Sequence, residues 1–140
     1  GSNNSIGYRI TFALNSWEVI KENPIIGVGT GDFTIEYRKI NQIRTPIMNQ
    51  MLPNTNNPHN MYILILVELG VIGLISMLSI FYYQIKLSFN SSNRFIRDVG
   101  ITLPLLFLVI MWSDSYLLGH YTTLMFVFFS SFLYKDFEKS

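Results

Sequence analysis

The residues best suited to chemistry sit where the polarity of the chain changes. In Pro58-His59-Asn60-Met61-Tyr62 an asparagine-rich polar stretch gives way within a few positions to a long apolar run. A histidine there can meet a membrane-tethered substrate and still exchange protons with water, because imidazole titrates near neutrality. His59 is therefore the expected chemical centre. Three other ionisable side chains bear on it: Glu68 inside the run, Asp114 in a Ser-Asp-Ser turn, and His120 just beyond. Glu68 is a functional candidate because an intramembrane carboxylate is costly, yet it can equally hydrogen-bond a neighbouring helix. It lies about 13 Å deeper than His59 by helical rise. Gly27-Val28-Gly29-Thr30-Gly31 offers another possibility, since backbone amides before a helix can cradle phosphate. No P-loop lysine follows it and no strand precedes it, so a plain turn packing two outer helices is expected instead.

Composition says what must hold these groups. The 140 residues suffice for one domain, but hydrophobic residues reach 49%, charged residues only 14%, and the mean hydropathy is +0.31. Most of the apolar residues follow Asn60, which points to a membrane protein. A net charge of +1 with no basic stretch interleaved with aromatics argues against nucleic acid as a partner. With no cysteine there is neither a disulfide framework nor a thiolate metal site. The chain begins Gly-Ser and carries no signal peptide, and is read as part of a larger polytopic protein.

The elements follow from periodicity. Over residues 6–22, Ile10, Ala13, Leu14, Trp17 and Ile20 recur at three- and four-residue intervals, predicting a helix with that face apolar. Pro24 ends it. A second amphipathic helix starts near Asp32, with Phe33, Tyr37 and Ile40 on one side. Residues 41–58 contain Pro46, Pro53 and Pro58 among many asparagines and read as an irregular polar loop. Residues 61–83 hold a single charge, Glu68, and at about 1.5 Å per residue are long enough to cross a bilayer. Tyr62, Tyr82 and Tyr83 mark its ends as an aromatic belt would. Lys86, Arg94 and Arg97 fall in a short polar loop, residues 99–112 and 116–134 are two further candidate spans, and a charged tail with Lys135 and Lys139 follows. Positive residues mark the cytoplasmic side. Residues 1–60 and Asp114 then lie outside, which brings His59, Asp114 and His120 to one membrane face.

The string Asn23-Pro24-Ile25-Ile26-Gly27-Val28-Gly29-Thr30-Gly31-Asp32-Phe33, followed by His59-Asn60-Met61-Tyr62-Ile63 and by Glu68-Leu69-Gly70-Val71-Ile72-Gly73, resembles the O-antigen ligase and polymerase superfamily. The likeness covers roughly residues 8–75, the large external loop and the helix after it. It implies an all-α polytopic membrane protein, in which amphipathic helices of an external loop precede three transmembrane helices, as the C-terminal fragment of a C-type glycosyltransferase-like fold. The implied setting is the bacterial inner membrane, multi-pass, with residues 1–60 facing the periplasm.

The implied activity is transfer of a glycan from an undecaprenyl pyrophosphate carrier, without a metal or other cofactor. A ligase delivers it to lipid A-core or another surface acceptor, a polymerase to a second carrier-linked repeat. By resemblance His59 is the general base toward the acceptor hydroxyl, and Arg9 is catalytic through the carrier's pyrophosphate. Arg38 or Arg44 supplies a second phosphate contact, and Asn60 is a substrate-binding candidate beside His59. Partners would be the carrier-linked glycan, the acceptor, membrane lipid and the remaining transmembrane helices, without which the fragment is expected to be inactive. The residue types suit that chemistry: the leaving pyrophosphate's charge falls to arginine, and the hydroxyl needs a base matched to neutral pH. Two rival readings stay open, a transport segment using Glu68 and His120, and a structural membrane subunit.

Overall fold

The computed structural model describes residues 5–47, 54–114 and 120–134; the side chains of Ser5, Thr45, Ile47, His120, Tyr121, Thr122, Phe132 and Tyr134 lie outside that description. Every regular element among the described residues is a helix: α1 (Ser5–Glu22), α2 (Phe33–Ile47), α3 (Met61–Phe89), α4 (Arg94–Ser113) and α5 (His120–Tyr134). Two of them, α3 and α4, are long and apolar enough to cross a membrane. The protein is all-α, as the composition and the resemblance led one to expect.

Helix ends differ from the hydropathy-based expectation for identifiable reasons. The α2 helix continues through Pro46 to Ile47, so the first part of the expected loop is helical. A proline in the last turn removes only one ladder bond near an end where carbonyls already lack partners. Residues 48–53 of that loop lie outside the described residues. Arg94 and Arg97 are not in a loop but in the first turn of α4, which Asn93 starts by accepting hydrogen bonds from the Phe95 and Ile96 amides. Hydropathy stops at charge, whereas a helix stops at its cap.

The apolar stripe of α1 points the other way from the core. Ile10, Leu14 and Trp17 are half or more exposed, and the buried face is Phe12, Asn15, Ser16 and Val19 with Ile20. That face meets α2, whose Phe33 and Tyr37 are buried as predicted. Phe12 stands edge-on to Tyr37 with centroids 6.1 Å apart. Polar groups complete the contact: the Asn15 amide donates to Tyr37 Oη and Asn41 Oδ1, and Arg44 donates to Asn15 Oδ1 at 2.9 Å. Three hydrogen bonds converging on one buried asparagine specify how α1 and α2 register.

The α3 helix is broken at Gly70, which takes φ 65 and ψ −163. In an unbroken helix the Val71 amide would donate to the Val67 carbonyl and Ile72 to Glu68. Here the glycine-rich turn exchanges those two bonds for four. Val71 donates to the Pro24 carbonyl and Ile72 to Ile25, while Val28 donates to the Val67 carbonyl and Gly29 to Glu68. The Glu68 carboxylate adds a fifth, accepting from the Gly31 amide at 3.0 Å. A broken helix at membrane depth persists where protein takes up the freed backbone groups, and this turn takes them up. The amides of Val28, Gly29 and Gly31 are thus engaged by α3, which removes the phosphate-cradle reading of the glycine triplet. The turn packs as expected, but its partner is α3 as well as the two outer helices.

On both sides of the break α3 lies alongside α4 or α5. The Tyr62 hydroxyl donates to the Leu108 carbonyl and the Asn60 side chain to the Trp112 carbonyl. Phe126 of α5 seats between Phe81 and Phe107, with ring centroids 5.4 and 5.2 Å away, and Gln84 donates to Ser130.

Candidate functional site

His59 is the last irregular residue but one before α3. Its backbone is left-handed, at φ 52, a conformation costly for a residue with a β-carbon unless its surroundings impose it. Two side chains impose it. The Asn57 carboxamide accepts from the His59 amide at 2.9 Å, and Asn60 caps α3 by accepting from the Ile63 amide at 3.1 Å. The ring is held against Phe12, with centroids 6.1 Å apart.

Across from it stands Asp114, just past the end of α4, with Oδ1 3.3 Å from His59 Nδ1. An ionised carboxylate can only accept, so the pairing places a hydrogen on Nδ1 and leaves Nε2 its lone pair for a proton. Both side chains are about 40% exposed, His59 at 42% and Asp114 at 39%, so the pair opens to incoming molecules. Asp114 was a weaker candidate in the sequence; fifty-five positions away, it is brought in by the antiparallel packing of α3 and α4.

Arg9 reaches the same place from α1. Its Nη1 donates to the Ser113 carbonyl at 3.2 Å. Arg9, His59 and Asn60 line one cavity of about 600 Å³, with Ser113 beside them and Ile6, Ile10, Ala13, Tyr62, Ile63, Leu66 and Trp112 forming the apolar wall. A second hollow of about 400 Å³ is formed by Tyr8, Arg9, Phe12 and His59. An arginine and a proton-accepting histidine thus line a largely apolar cleft between α1 and the α3/α4 pair.

The remaining candidates divide. Both ends of the Asn60 carboxamide are already used, one on Ile63 and one on Trp112, although Asn60 lines the cavity. Neither Arg38 nor Arg44 lines it. Arg44 is tied into the Asn15 network between α1 and α2, and Arg38 is exposed on α2. Burial pushes the Tyr37 phenol above its ordinary value of 10.0, against the smaller opposing effects of Asn15 and then Arg44. His120 starts α5, but its side chain lies outside the described residues.

A family model described as O-Antigen ligase matches residues 1–78, more than half of the chain. The chain belongs to the O-antigen ligase family. Arg9, the glycine turn, His59 and the Gly70 break all fall within the match, and Asp114 falls outside it. Membership makes this a membrane protein of O-antigen ligase or polymerase type, with glycosyltransferase-like activity at the family level. No curated protein and no solved structure matches the chain.

Proposed function

We propose that the His59 cleft transfers a glycan from an undecaprenyl pyrophosphate carrier to a hydroxyl of lipid A-core or another surface acceptor, on the periplasmic face of the bacterial inner membrane. The observation that carries this reading is that Arg9 and His59, the latter paired with Asp114, line one largely apolar cleft. The His59 Nε2 takes the acceptor hydroxyl's proton as that oxygen forms a bond to the anomeric carbon. The bond from that carbon to the pyrophosphate oxygen breaks, and its electron pair leaves with the phosphate. Arg9 pairs with the charge that develops there, a role suited to a planar, permanently charged donor. Asp114 holds the imidazole's orientation and offsets the positive charge it acquires. The apolar wall of Ile6, Ile10, Ile63 and Leu66 accommodates the first units of the carrier's polyprenyl chain, so the phosphate is delivered beside Arg9. A polymerase of carrier-linked repeats would use the same groups and differ in the acceptor.

The test is surface glycan display by full-length His59→Ala and Arg9→Ala proteins that still insert in the membrane. Both should lose it, by at least about a hundredfold for His59 if proton abstraction limits the reaction. Undiminished display in both variants would remove the assignment. Accumulation of long carrier-linked chains marks a ligase, and accumulation of single repeats a polymerase. The transport reading draws no support from Glu68, whose carboxylate is engaged by the Gly31 amide outside the cleft.

A further inference from the structure

The outward face of α1 and the turn after it present apolar side chains that stay uncovered among the described residues. Leu14 is 50% exposed and Trp17 54%, and in the turn Ile25 and Ile26 reach 64% and 69%. Their height relative to α3 is set by the backbone bonds from Val71 and Ile72 to the Pro24 and Ile25 carbonyls. Counted from Tyr83 at the opposite end of the span, Gly70 stands about 20 Å up the helix. A hydrocarbon core about 30 Å thick then places the turn some 10 Å beneath the near surface. On α3 itself, Val71, Ile72 and Ile75 are exposed directly alongside and continue the apolar surface down the span.

We propose that residues 23–29 form a re-entrant turn set into the bilayer, and that lipid acyl chains cover Ile25, Ile26, Trp17 and Leu14. Three observations choose lipid over water. Non-helical backbone at that depth requires internal hydrogen bonding, and the amides and carbonyls exchanged between this turn and Gly70's neighbours supply it. The apolar patch is continuous with the exposed face of the spanning helix. On α1 the charges border the stripe: by helical angle Arg9 lies along one edge of Ile10–Trp17 and Glu18 and Glu22 along the other, and Lys21, which falls within it, reaches out to Glu18 at 3.0 Å. An apolar strip with acidic and basic groups along its margin is the pattern of a helix lying at a lipid boundary. On this inference the middle of residues 1–60 dips into the membrane while the rest of that segment stays outside. The inference rests on α3 spanning the bilayer and is independent of the transferase chemistry.

Single cysteines at Trp17, Ile26 and Lys39, the last exposed on α2 outside the turn, introduced into full-length protein freed of any other cysteine and carrying a nitroxide label in lipid nanodiscs, test it. Oxygen, which concentrates in hydrocarbon, should relax the labels at positions 17 and 26 severalfold more than a water-soluble nickel complex, and the reverse should hold at position 39. Nickel dominating at position 26 would show a water-facing loop and overturn the inference. Neither reagent reaching it would show that protein, not lipid, covers the patch, which overturns it equally. If the Ile26→Cys protein fails to insert, Ile25→Cys reads the same surface. Glycan display measured on the same samples keeps this outcome separate from that of the transferase reading.

Discussion

Gly27 and Gly70 interlock through each other's neighbours: a β-carbon on Gly27 would overlap the Glu68 carbonyl, and one on Gly70 the Ile25 carbonyl. Both have positive φ, at 71 and 65. The two glycines let a turn and a broken helix approach closely enough to trade backbone hydrogen bonds, which positions α1, and with it Arg9, relative to His59.

Gly70→Ala and Gly27→Ala should therefore each cost more than the roughly 1–3 kcal/mol of positive-φ backbone strain alone, because carbonyl overlap must also be relieved. Gly31 provides the control, having φ 88 but no atom within 4 Å of the point where an alanine methyl would stand. Gly31→Ala should cost only the strain. Thermal unfolding of the three variants in nanodiscs checks the order, and equal losses would refute the interlock.

The pair of His59 and Asp114 predicts a divided kinetic effect. Asp114→Asn can turn its amide toward Nδ1 and favour the wrong tautomer, so kcat should fall about ten- to a thousandfold while KM for the carrier substrate changes little. An unaltered kcat would show that the 3.3 Å contact carries no catalytic role.

The two arginines of α2 separate by stability. Arg44→Ala removes the donor to buried Asn15 and should lower stability by about 1–3 kcal/mol, whereas exposed Arg38→Ala should leave it nearly unchanged. Loss of transfer without loss of melting temperature in Arg38→Ala would mark Arg38 as the phosphate-contacting residue.

Tyr37 predicts an alkaline limit. Its phenol ionises at higher pH folded than unfolded because burial disfavours the charge. The stabilisation is complete below the unfolded value near 10.0 and is lost as pH rises through the folded one. Stability should fall above about pH 10, and Tyr37→Phe should flatten that limb in pH-dependent unfolding.

Much of this protein follows from local sequence. Period and hydropathy are nearest-neighbour properties, so the helices of α1, the start of α2 and the long apolar α3 could be read directly, as could the position of His59 at the polarity change. The motifs around Asn23, His59 and Glu68 carried the family. What the sequence could not decide was facing and pairing. The Ile10–Trp17 stripe is apolar whichever way it turns, and only the Asn15 network and Phe12 rotate it away from the core. Gly70 reads as a small residue for close packing, and only the hydrogen bonds offered by a turn more than forty positions upstream make it a break. Asp114 becomes the partner of His59 because two antiparallel helices return the chain to its starting level. These are non-local contacts, and tertiary structure alone brings their members together.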